Sequence, residues 1–337
     1  MPHSTVAARK RYAAGTGDAM RRKMHNVHPR GGSPLPVVVL EGDAPGPTVA
    51  VTGNVHGDEA TGLVAAHELD LRLRESLRCG RVVLYPSVNP GGLRARTRTE
   101  PGGVDLNRAF PGDPRGGTAS RIAAALWSDL GAHRVDAVLD LHADAAVSIP
   151  YVIVDRPVAL RATERAAMEA RLATLAGHCG LTALMEYRAP EYIRFGLDRS
   201  LAGALVNAAK VPALTLEIGP RRSVDPAAVE VAVGAVWGVL AGLQLVDGAP
   251  APHPTRVAGG PWRRSPAPRV QTAGVFVPHV HPGVTFAAQD VLGTVRGVDG
   301  AVLERVVAPG SGVVVSWADA TWVEPRAVVG TLGLEDR

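Results

Sequence analysis

Residues 36–248 alternate between short apolar runs and longer amphipathic segments. The apolar runs predict strands, and the segment 59–78 predicts a helix because Ala66, Leu69 and Leu73 recur on one face. Strands are predicted at 36–41, 48–55, 81–88, 137–141, 151–155 and 211–218, and helices at 59–78, 118–131, 158–178 and 225–246. Apolar strands that alternate with helices predict an α/β fold, with a mixed, mostly parallel central sheet flanked by helices.

The pattern changes after residue 248. Residues 249–268 are rich in proline and lack periodicity, which predicts a linker. Residues 269–337 show short strand-like runs with glycine at the turns, which predicts a small all-β module. We therefore expect four parts: a basic N-terminal extension at 1–34, a main domain at 35–248, the linker and the C-terminal β module.

Charge is distributed unevenly along the chain. The net charge of +4 could indicate an anionic partner. However, residues 1–34 carry seven Lys or Arg residues and one acidic residue, so the rest of the chain is slightly acidic. Because a short basic arm is more often a solvated tail than a nucleic-acid clamp, we expect no nucleic-acid partner.

Two features bear on the compartment. The chain has two cysteines, too few for a disulfide framework or a cysteine-based zinc site. The basic residues near the N-terminus are not followed by an apolar segment like that of a secretory signal, and the most apolar stretch, 227–246, contains Glu230 and several glycines. We expect a cytoplasmic protein without a membrane partner.

Residues that could bind a metal ion follow two of the predicted strands. His56 and Glu59 lie three residues apart where the strand 48–55 ends, and His142 follows the strand 137–141. Ligand sites in open α/β sheets lie beyond the carboxyl ends of strands, so these side chains could meet there. Two histidines and one glutamate with an open fourth position are typical of a catalytic zinc site. His279 and His281, near a turn of the β module, could also face it.

Other polar residues could complete this site. Asn107 and Arg108, in the long loop 89–117, supply a neutral donor and a planar guanidinium that suit a carboxylate, with a solvated basic loop as the alternative. Glu217 lies near the end of an apolar strand, where a carboxylate needs a partner. It could form a salt bridge or act as a general base beside a metal-bound water.

Six segments together resemble the succinylglutamate desuccinylase/aspartoacylase family of the zinc carboxypeptidase-like superfamily. They are Gly-Asn-Val-His-Gly-Asp-Glu at 53–59, Asn-Pro at 89–90, Thr-Arg at 97–98, Asp-Leu-Asn-Arg-Ala-Phe-Pro-Gly at 105–112, Asp-Leu-His at 140–142 and Thr-Leu-Glu-Ile-Gly at 215–219. The resemblance spans roughly residues 36–248 and continues into a β module that is similar to a barrel-sandwich fold.

The resemblance implies a catalytic role for five residues. One zinc ion per chain would be bound by His56, Glu59 and His142. Glu217 would act as the general base for the attacking water, and Arg98 would stabilise the oxyanion. The reaction implied is zinc-dependent hydrolysis of the amide bond of a small N-acyl amino acid.

The resemblance also implies how the substrate is held. Asn107 and Arg108 would bind its carboxylate. The family recognises the acyl group with residues that precede the catalytic glutamate, and there Tyr192 and Arg199 are our candidates, although no family motif matches. We expect a small carboxylate-bearing substrate, and a homo-oligomer in which the β module acts as a lid or a subunit contact.

Two other functions fit the same residues. A metallocarboxypeptidase that releases the C-terminal residue of a short peptide would use the same zinc and carboxylate clamp, and an ester or lactone would suit the same chemistry. A non-catalytic binding protein with a vestigial zinc site is the alternative from another class. Such proteins usually lose a ligand or the base, and this chain has all of them.

Overall fold

Most of the described strands form one long mixed sheet. In the computed structural model, which describes residues 20–265 and 267–336, the strands are β1 (Arg21–Val27), β2 (Leu35–Glu41), β3 (Ala44–Gly53), β4 (Cys79–Tyr85), β5 (Ala137–Asp144), β6 (Val147–Ser148), β7 (Tyr151–Val154), β8 (Thr182–Met185), β9 (Ala213–Pro220), β10 (Trp262–Ser265), β11 (Gly274–Pro278), β12 (Thr285–Phe286), β13 (Val291–Arg296), β14 (Val302–Val307), β15 (Gly312–Trp317), β16 (Trp322–Val323) and β17 (Gly330–Glu335). Their order in the long sheet is β1-β2-β4-β3-β5-β9-β7-β8-β10-β17-β15-β12, with β6 paired to β15. A separate antiparallel sheet near the C-terminus has the order β14-β13-β11-β16.

Helices cover the long sheet and connect its strands. They are α1 (Thr61–Leu73), α2 (Pro90–Ala95), α3 (Thr118–His133), α4 (Ala162–His178), α5 (Ala189–Arg194), α6 (Leu201–Ala204) and α7 (Pro226–Gly242). The neighbouring strands β3, β5 and β9 are parallel, and β5 is buried along almost its whole length, as expected for a strand covered on both faces. The predicted fold class is confirmed. In the part of the chain described, no helix has the length and apolar character needed to cross a bilayer.

Part of the predicted N-terminal extension belongs to the sheet. Residues 1–19 lie outside the described residues. Strand β1 pairs antiparallel with β2 at the sheet edge, and Arg22 donates to both carboxylate oxygens of Asp70 in α1 at 2.8 Å. This half of the extension is therefore an edge strand and not a solvated tail. The hydrophobic pattern did not predict it because six of its seven side chains are exposed.

The predicted linker also contains a strand of the long sheet. Within residues 249–268, β10 pairs parallel with β8 and antiparallel with β17, so the sheet continues into the C-terminal module. Apolar residues from both sides of this junction pack in one cluster: Ile149, Tyr151, Ile153, Leu184, Trp262, Val313 and Val315. The sequence Trp-Arg-Arg-Ser between glycine and prolines has no apolar alternation, so the pattern did not predict this strand.

The C-terminal module is a small β-sandwich fused to the main sheet. Strand β15 is buried on both faces, because Val313 and Val315 enter the cluster at the junction while Val314 enters the core of the module. That core joins β15 and β17 to the separate antiparallel sheet through residues that include Phe276 and Leu332. The module is therefore attached by shared strands rather than by a flexible connection.

Candidate metal centre and active site

Close backbone packing shapes the loop that follows β3. Asn54 adopts a left-handed conformation (φ 57°), and its side chain donates to the backbone oxygens of His56 and Glu59. Gly57 lies so close to Gly92 of α2 that an added Cβ would be 2.1 Å from the Gly92 carbonyl carbon. Only glycine fits there, and this contact brings the loop that contains α2 to the end of β3.

His56, Glu59 and His142 converge on one point, as the sequence predicted. His56 Nδ1 lies 2.9 Å from Glu59 Oε1, His142 Nδ1 lies 2.9 Å from Glu59 Oε2, and the two nitrogens are 3.0 Å apart. All three side chains are buried. Burial favours the neutral form of Glu59, but the two imidazoles outweigh this effect and lower the pKa of Glu59 below its usual range.

A carboxylate behind His142 fixes the orientation of this imidazole. His142 Nε2 lies 2.8 Å from Asp140 Oδ2, and Thr52 donates to Asp140 Oδ1 at 2.7 Å from the neighbouring strand β3. The ring proton therefore belongs on Nε2, and the Nδ1 lone pair faces the cluster. Burial opposes protonation of His142, yet Asp140 and Glu59 raise its pKa well above the usual value. The two carboxylates therefore favour a positive charge at Nδ1, which either a proton or a metal ion on that lone pair would supply.

These donors fit a zinc ion. Two imidazole nitrogens lie 3.0 Å apart, and each is 2.9 Å from the same buried carboxylate, so one shared cation would stabilise this arrangement. Two histidines, one glutamate and a carboxylate that supports a ligating histidine are typical of catalytic zinc sites. His56, Glu59 and His142 are the residues that would hold the ion.

Arg98 lies beside this cluster and is fixed by Asp105. The Gly57 N–H donates to the Arg98 backbone oxygen, and Arg98 Nε and Nη2 each lie 3.2 Å from Asp105 Oδ2. Arg98 Nη1 lies 3.6 Å from Glu59 Oε1. Asp105 Oδ1 is also 3.4 Å from His56 Nε2, so one carboxylate supports both residues. Burial disfavours its ionisation, but His56 and Arg98 lower the pKa of Asp105. Sequence reasoning assigned Asp105 no role.

Glu217 lies next to His142 because β9 and β5 are parallel neighbours. The two residues are paired in the register, and Glu217 lines a cavity of about 200 Å³ that also contains His56, Glu59 and Arg98. Burial raises the pKa of Glu217 to about 7, with His142 opposing the shift and Glu59 adding to it. The carboxylate is thus able to change protonation state near neutral pH.

Asn107 and Arg108 line the same cavity, as predicted. Asn107 Oδ1 accepts the Leu201 N–H at 2.7 Å, which leaves the amide nitrogen as the side-chain donor. Arg108 Nε donates to the Phe195 backbone oxygen at 2.8 Å, and Nη1 donates to the Asn107 backbone oxygen at 2.7 Å. These bonds fix the guanidinium against the backbone, which is a preorganised arrangement for binding an anion.

Sequence reasoning missed a group of charged residues in this cavity. Asp144, Asp155, Glu186 and Arg264 line it together with the predicted residues. Arg264 Nη1 lies 3.2 Å and 3.1 Å from the two carboxylate oxygens of Glu186, and its guanidinium is 4.8 Å from the Tyr187 ring centroid. Burial raises the pKa of Asp155 to about 7.

A sequence signal existed for two of these residues. Asp155 and Glu186 directly follow the last residues of β7 and β8, and the end-of-strand criterion that selected His142 would have selected them too. Arg264 had no such signal, because β10 lies in the proline-rich segment that predicted a linker.

Two predicted substrate-binding residues do not reach the cavity wall. Tyr192 is buried, and its hydroxyl donates to Asp155, so it lies behind the wall and supports an acidic residue of it. Arg199 is exposed and is not among the residues that line the cavity. His279 and His281 are also exposed and do not line the cavity, and His279 Nε2 lies 3.3 Å from Thr294 Oγ1.

A larger cavity lies on the face of β8 that points away from the apolar cluster at the junction with the C-terminal module. It has a volume of about 710 Å³ and is lined by Ala183 and Met185, whereas Leu184 points to the junction cluster. It contains none of the residues in the His–Glu–His cluster and shares only Asp155 with the smaller cavity among the residues described. The chemistry of the predicted site therefore belongs to the smaller cavity.

The family model described as the succinylglutamate desuccinylase/aspartoacylase catalytic domain matches residues 45–243, more than half of the chain. The chain belongs to this family. The matched range contains the His56–Glu59–His142 cluster, Arg98 and Glu217. The family that the six sequence segments predicted is thereby confirmed.

One curated relative is an N-alpha-acetyl-L-2,4-diaminobutyric acid deacetylase from Halomonas elongata. It is 42% identical over 109 residues, which is 32% of this chain. The chain spans about a third of the length of this relative, since the match covers 31% of it.

Solved structures of family members share the fold over almost the whole chain. An aspartoacylase family protein from Mesorhizobium loti has a TM-score of 0.74 at 23% identity and covers 96% of both chains. The product-bound ectoine utilization protein EutE (DoeB) from Ruegeria pomeroyi has a TM-score of 0.71 at 22% identity, covering 94% of this chain and 96% of that chain. A metallo-carboxypeptidase from Burkholderia cenocepacia has a TM-score of 0.51 at 16% identity, covering 66% and 64%. These likenesses show a zinc carboxypeptidase-like fold.

Proposed function

We propose that this family member hydrolyses the amide bond of a small N-acyl amino acid, using one zinc ion per chain held by His56, Glu59 and His142. The observation that carries the proposal is that Glu217 and Arg98 line one cavity with this cluster. The name of the Halomonas relative supports a deacylase. When bound, the ion would supply positive charge that polarises the amide and lowers the pKa of a water molecule.

In this proposal, Glu217 moves the proton. It faces the cavity next to His142, and its pKa is about 7 without an ion. A zinc ion would lower this pKa, so the carboxylate would be ionised and able to accept a proton from water near neutral pH. The same carboxyl group can then give this proton to the leaving nitrogen. No other cavity-lining glutamate described is free for this task, because Glu59 contacts both imidazoles and Glu186 is paired with Arg264.

Three donors on the same cavity can orient the substrate. Arg98 Nη1 is the guanidinium nitrogen not bound to Asp105, so it can donate to the amide oxygen as negative charge develops there. The Asn107 amide and Arg108 guanidinium can bind the carboxylate of the amino acid. Their contacts with backbone oxygens and N–H groups hold them in place before the substrate arrives.

The remaining wall favours a substrate with an additional positive charge. Asp144, Asp155 and Glu186 contribute three carboxyl groups to the cavity, against the two guanidinium groups of Arg264 and Arg221. Arg264 is paired with Glu186, and Arg221 is paired with Asp319, which does not line the cavity. This excess of acidic groups suits an ammonium group and disfavours a second substrate carboxylate. We therefore propose an N-acyl diamino acid, which agrees with the name of the Halomonas relative.

A substrate panel tests this proposal. Zinc-loaded enzyme would be assayed with N-acetyl-2,4-diaminobutyrate, N-acetylaspartate and short dipeptides of matched length. We expect the highest kcat/KM for the diamino acid. Preference for N-acetylaspartate would contradict the role of the acidic wall, and preference for dipeptides would favour the metallocarboxypeptidase alternative.

A further inference from the structure

A second cluster with metal-binding donors lies away from the cavity. It consists of His25 on the edge strand β1 and of Asp129 and His133, one turn apart on α3. One donor atom from each residue lies within 4.8 Å of the others. None of the three lines the cavity that contains Glu217, so the proposed reaction does not use them.

The distances in this cluster suit a tetrahedral ion. His25 Nε2 lies 3.3 Å from Asp129 Oδ1, and His133 Nε2 lies 3.5 Å from Asp129 Oδ2. Two donors that bind the same tetrahedral zinc are about 3.4 Å apart, given zinc–ligand distances of about 2.0–2.2 Å. Each histidine nitrogen lies at about this distance from a different oxygen of the Asp129 carboxylate. The two imidazole rings are 5.8 Å apart between centroids.

A buried tyrosine positions the carboxylate of this cluster. The Tyr85 hydroxyl donates to Asp129 Oδ2 at 2.8 Å, and Tyr85 is fully buried at the end of β4. A hydrogen bond to a ligating carboxylate is a common support in metal sites. The side chains of His25, Asp129 and His133 are 39%, 19% and 17% exposed, so an ion could enter from solvent and keep a water ligand.

The surroundings include one opposing charge. The positive charge of Arg81 disfavours a positive charge on His133, and a protonated His25 would do the same. The carboxylate of Asp129 favours a positive charge there. Arg81 is itself paired with Glu41, its Nη2 lying 3.6 Å from Glu41 Oε1. We expect this site to bind zinc more weakly than the buried cluster, because its three side chains are partly exposed to solvent.

We propose that His25, Asp129 and His133 form a second zinc site, which fastens the edge strand β1 to α3. The strand is otherwise exposed along most of its length, so few apolar contacts hold it. An ion bound by His25 of β1 and by Asp129 and His133 of α3 would attach the strand to the helix. This proposal does not depend on the proposed catalytic function.

Zinc titration tests the proposal directly. Enzyme that retains its first equivalent after dialysis would be titrated with Zn²⁺ by calorimetry, and with Co²⁺ for its visible absorption. We expect a second equivalent per chain in the wild type and in His67→Gln, which removes an exposed histidine of α1 outside both clusters. Loss of a residue that only supports a metal ligand typically lowers metal affinity about 10–100-fold. We expect His25→Gln and His133→Gln, which remove ligands, to lower the affinity for the second zinc ion by at least this much.

Two further measurements guard against misfolding and alternative explanations. Tyr85→Phe removes only the supporting hydroxyl, and we expect about a tenfold loss in the second affinity. Hydrogen exchange at the amides of β1 should slow when Zn²⁺ is added to the wild type but not to His25→Gln. Because His25 is exposed, its variant decides the question even if His133→Gln is unstable. A second equivalent that is missing in the wild type, or unchanged in His25→Gln, would overturn the proposal.

Discussion

Two clusters among the described residues have the same composition, two histidines and one carboxylate, in different surroundings. His56, Glu59 and His142 are almost fully buried at the ends of parallel strands, whereas the His25 cluster joins an edge strand to a helix at the surface. The buried cluster adjoins a cavity that also contains Glu217 and Arg98. The surface cluster has a tyrosine as its supporting residue. If both proposals hold, the neighbouring residues, and not the ligand set, determine which of the two clusters is catalytic.

The parallel sheet explains why only one cluster acquires such neighbours. The register of β5 and β9 places Glu217 beside His142, and that of β3 and β5 places Thr52 beside Asp140. Loops at the same sheet edge then add further polar residues. Helix α3 and strand β1 supply ligands but no such converging loops.

The largest effect on catalysis should come from replacing Glu217, since in the part of the chain described the surface cluster has no corresponding residue in a cavity beside it. We expect Glu217→Gln to lower kcat by about 10²–10⁴-fold, because proton transfer contributes that much to catalysis. Zinc content should not change, since Glu217 is not one of the three ligands. Steady-state assays with metal analysis on the same samples measure both, and Glu164→Gln, an exposed glutamate of α4, is the matched control. A near-normal kcat would exclude Glu217 as the base.

The next largest effect should come from the arginine beside the buried cluster. We expect Arg98→Ala to lower kcat by about 10²–10³-fold with a smaller change in KM, because its donor is needed when negative charge develops on the amide oxygen. Arg94→Ala is the control, since Arg94 contacts Ser33 in an exposed position of the same loop. A rise in KM alone would show that Arg98 only binds substrate.

The buried ion pair between Arg264 and Glu186 should contribute to the stability of the protein. We expect Arg264→Leu to lower the free energy of unfolding by about 3 kcal/mol, because it leaves Glu186 buried without its partner. The double variant with Glu186→Leu should recover much of this loss. Denaturant unfolding measures it, and equal stability of the single and double variants would contradict the buried pair.

The dependence of kcat/KM on pH should show a smaller effect, whose direction follows from the ionisation of Glu217. Glu217 must be ionised to accept a proton, so kcat/KM should fall as the pH drops below the pKa of Glu217. That pKa is about 7 without an ion, and a nearby zinc would lower it, so the acid limb should lie at or below pH 7. The limb should disappear in Glu217→Gln. A limb well above pH 7 would point to a different group.

The smallest effect on catalysis should come from the surface cluster. We expect His25→Gln to leave kcat/KM unchanged within error in enzyme that contains one zinc per chain, because His25 does not line the cavity. Assays at equal zinc content measure this. A clear loss of turnover would show that the two clusters are coupled and would break the comparison.

The sequence predicted the buried cluster because its signals are local. His56 and Glu59 share one loop, and His142 and Glu217 each lie near the carboxyl end of an apolar strand, so the fold class was enough to bring them together. Asn107 and Arg108 were selected as polar residues of the long loop 89–117, and they line the same cavity. The six matching segments added the expected roles.

The remaining residues depend on contacts that no local pattern shows. Arg264 reaches the cavity because β10 joins β8, a pairing of residues far apart in sequence. The Tyr192 hydroxyl donates to Asp155, and Arg199 remains at the surface, although the resemblance had suggested that both residues recognise the acyl group. The homo-oligomer, the cytoplasmic location and the absence of a nucleic-acid partner stay predictions.

Stepwise reconstitution with zinc tests the central claim most directly. Metal-free enzyme would receive Zn²⁺ in fractions of one equivalent, while hydrolysis of N-acetyl-2,4-diaminobutyrate is followed. If the buried cluster is the catalytic centre, activity should rise linearly to its maximum at one equivalent and gain nothing from a second. Full turnover without zinc, or activity that appears only with the second equivalent, would contradict it.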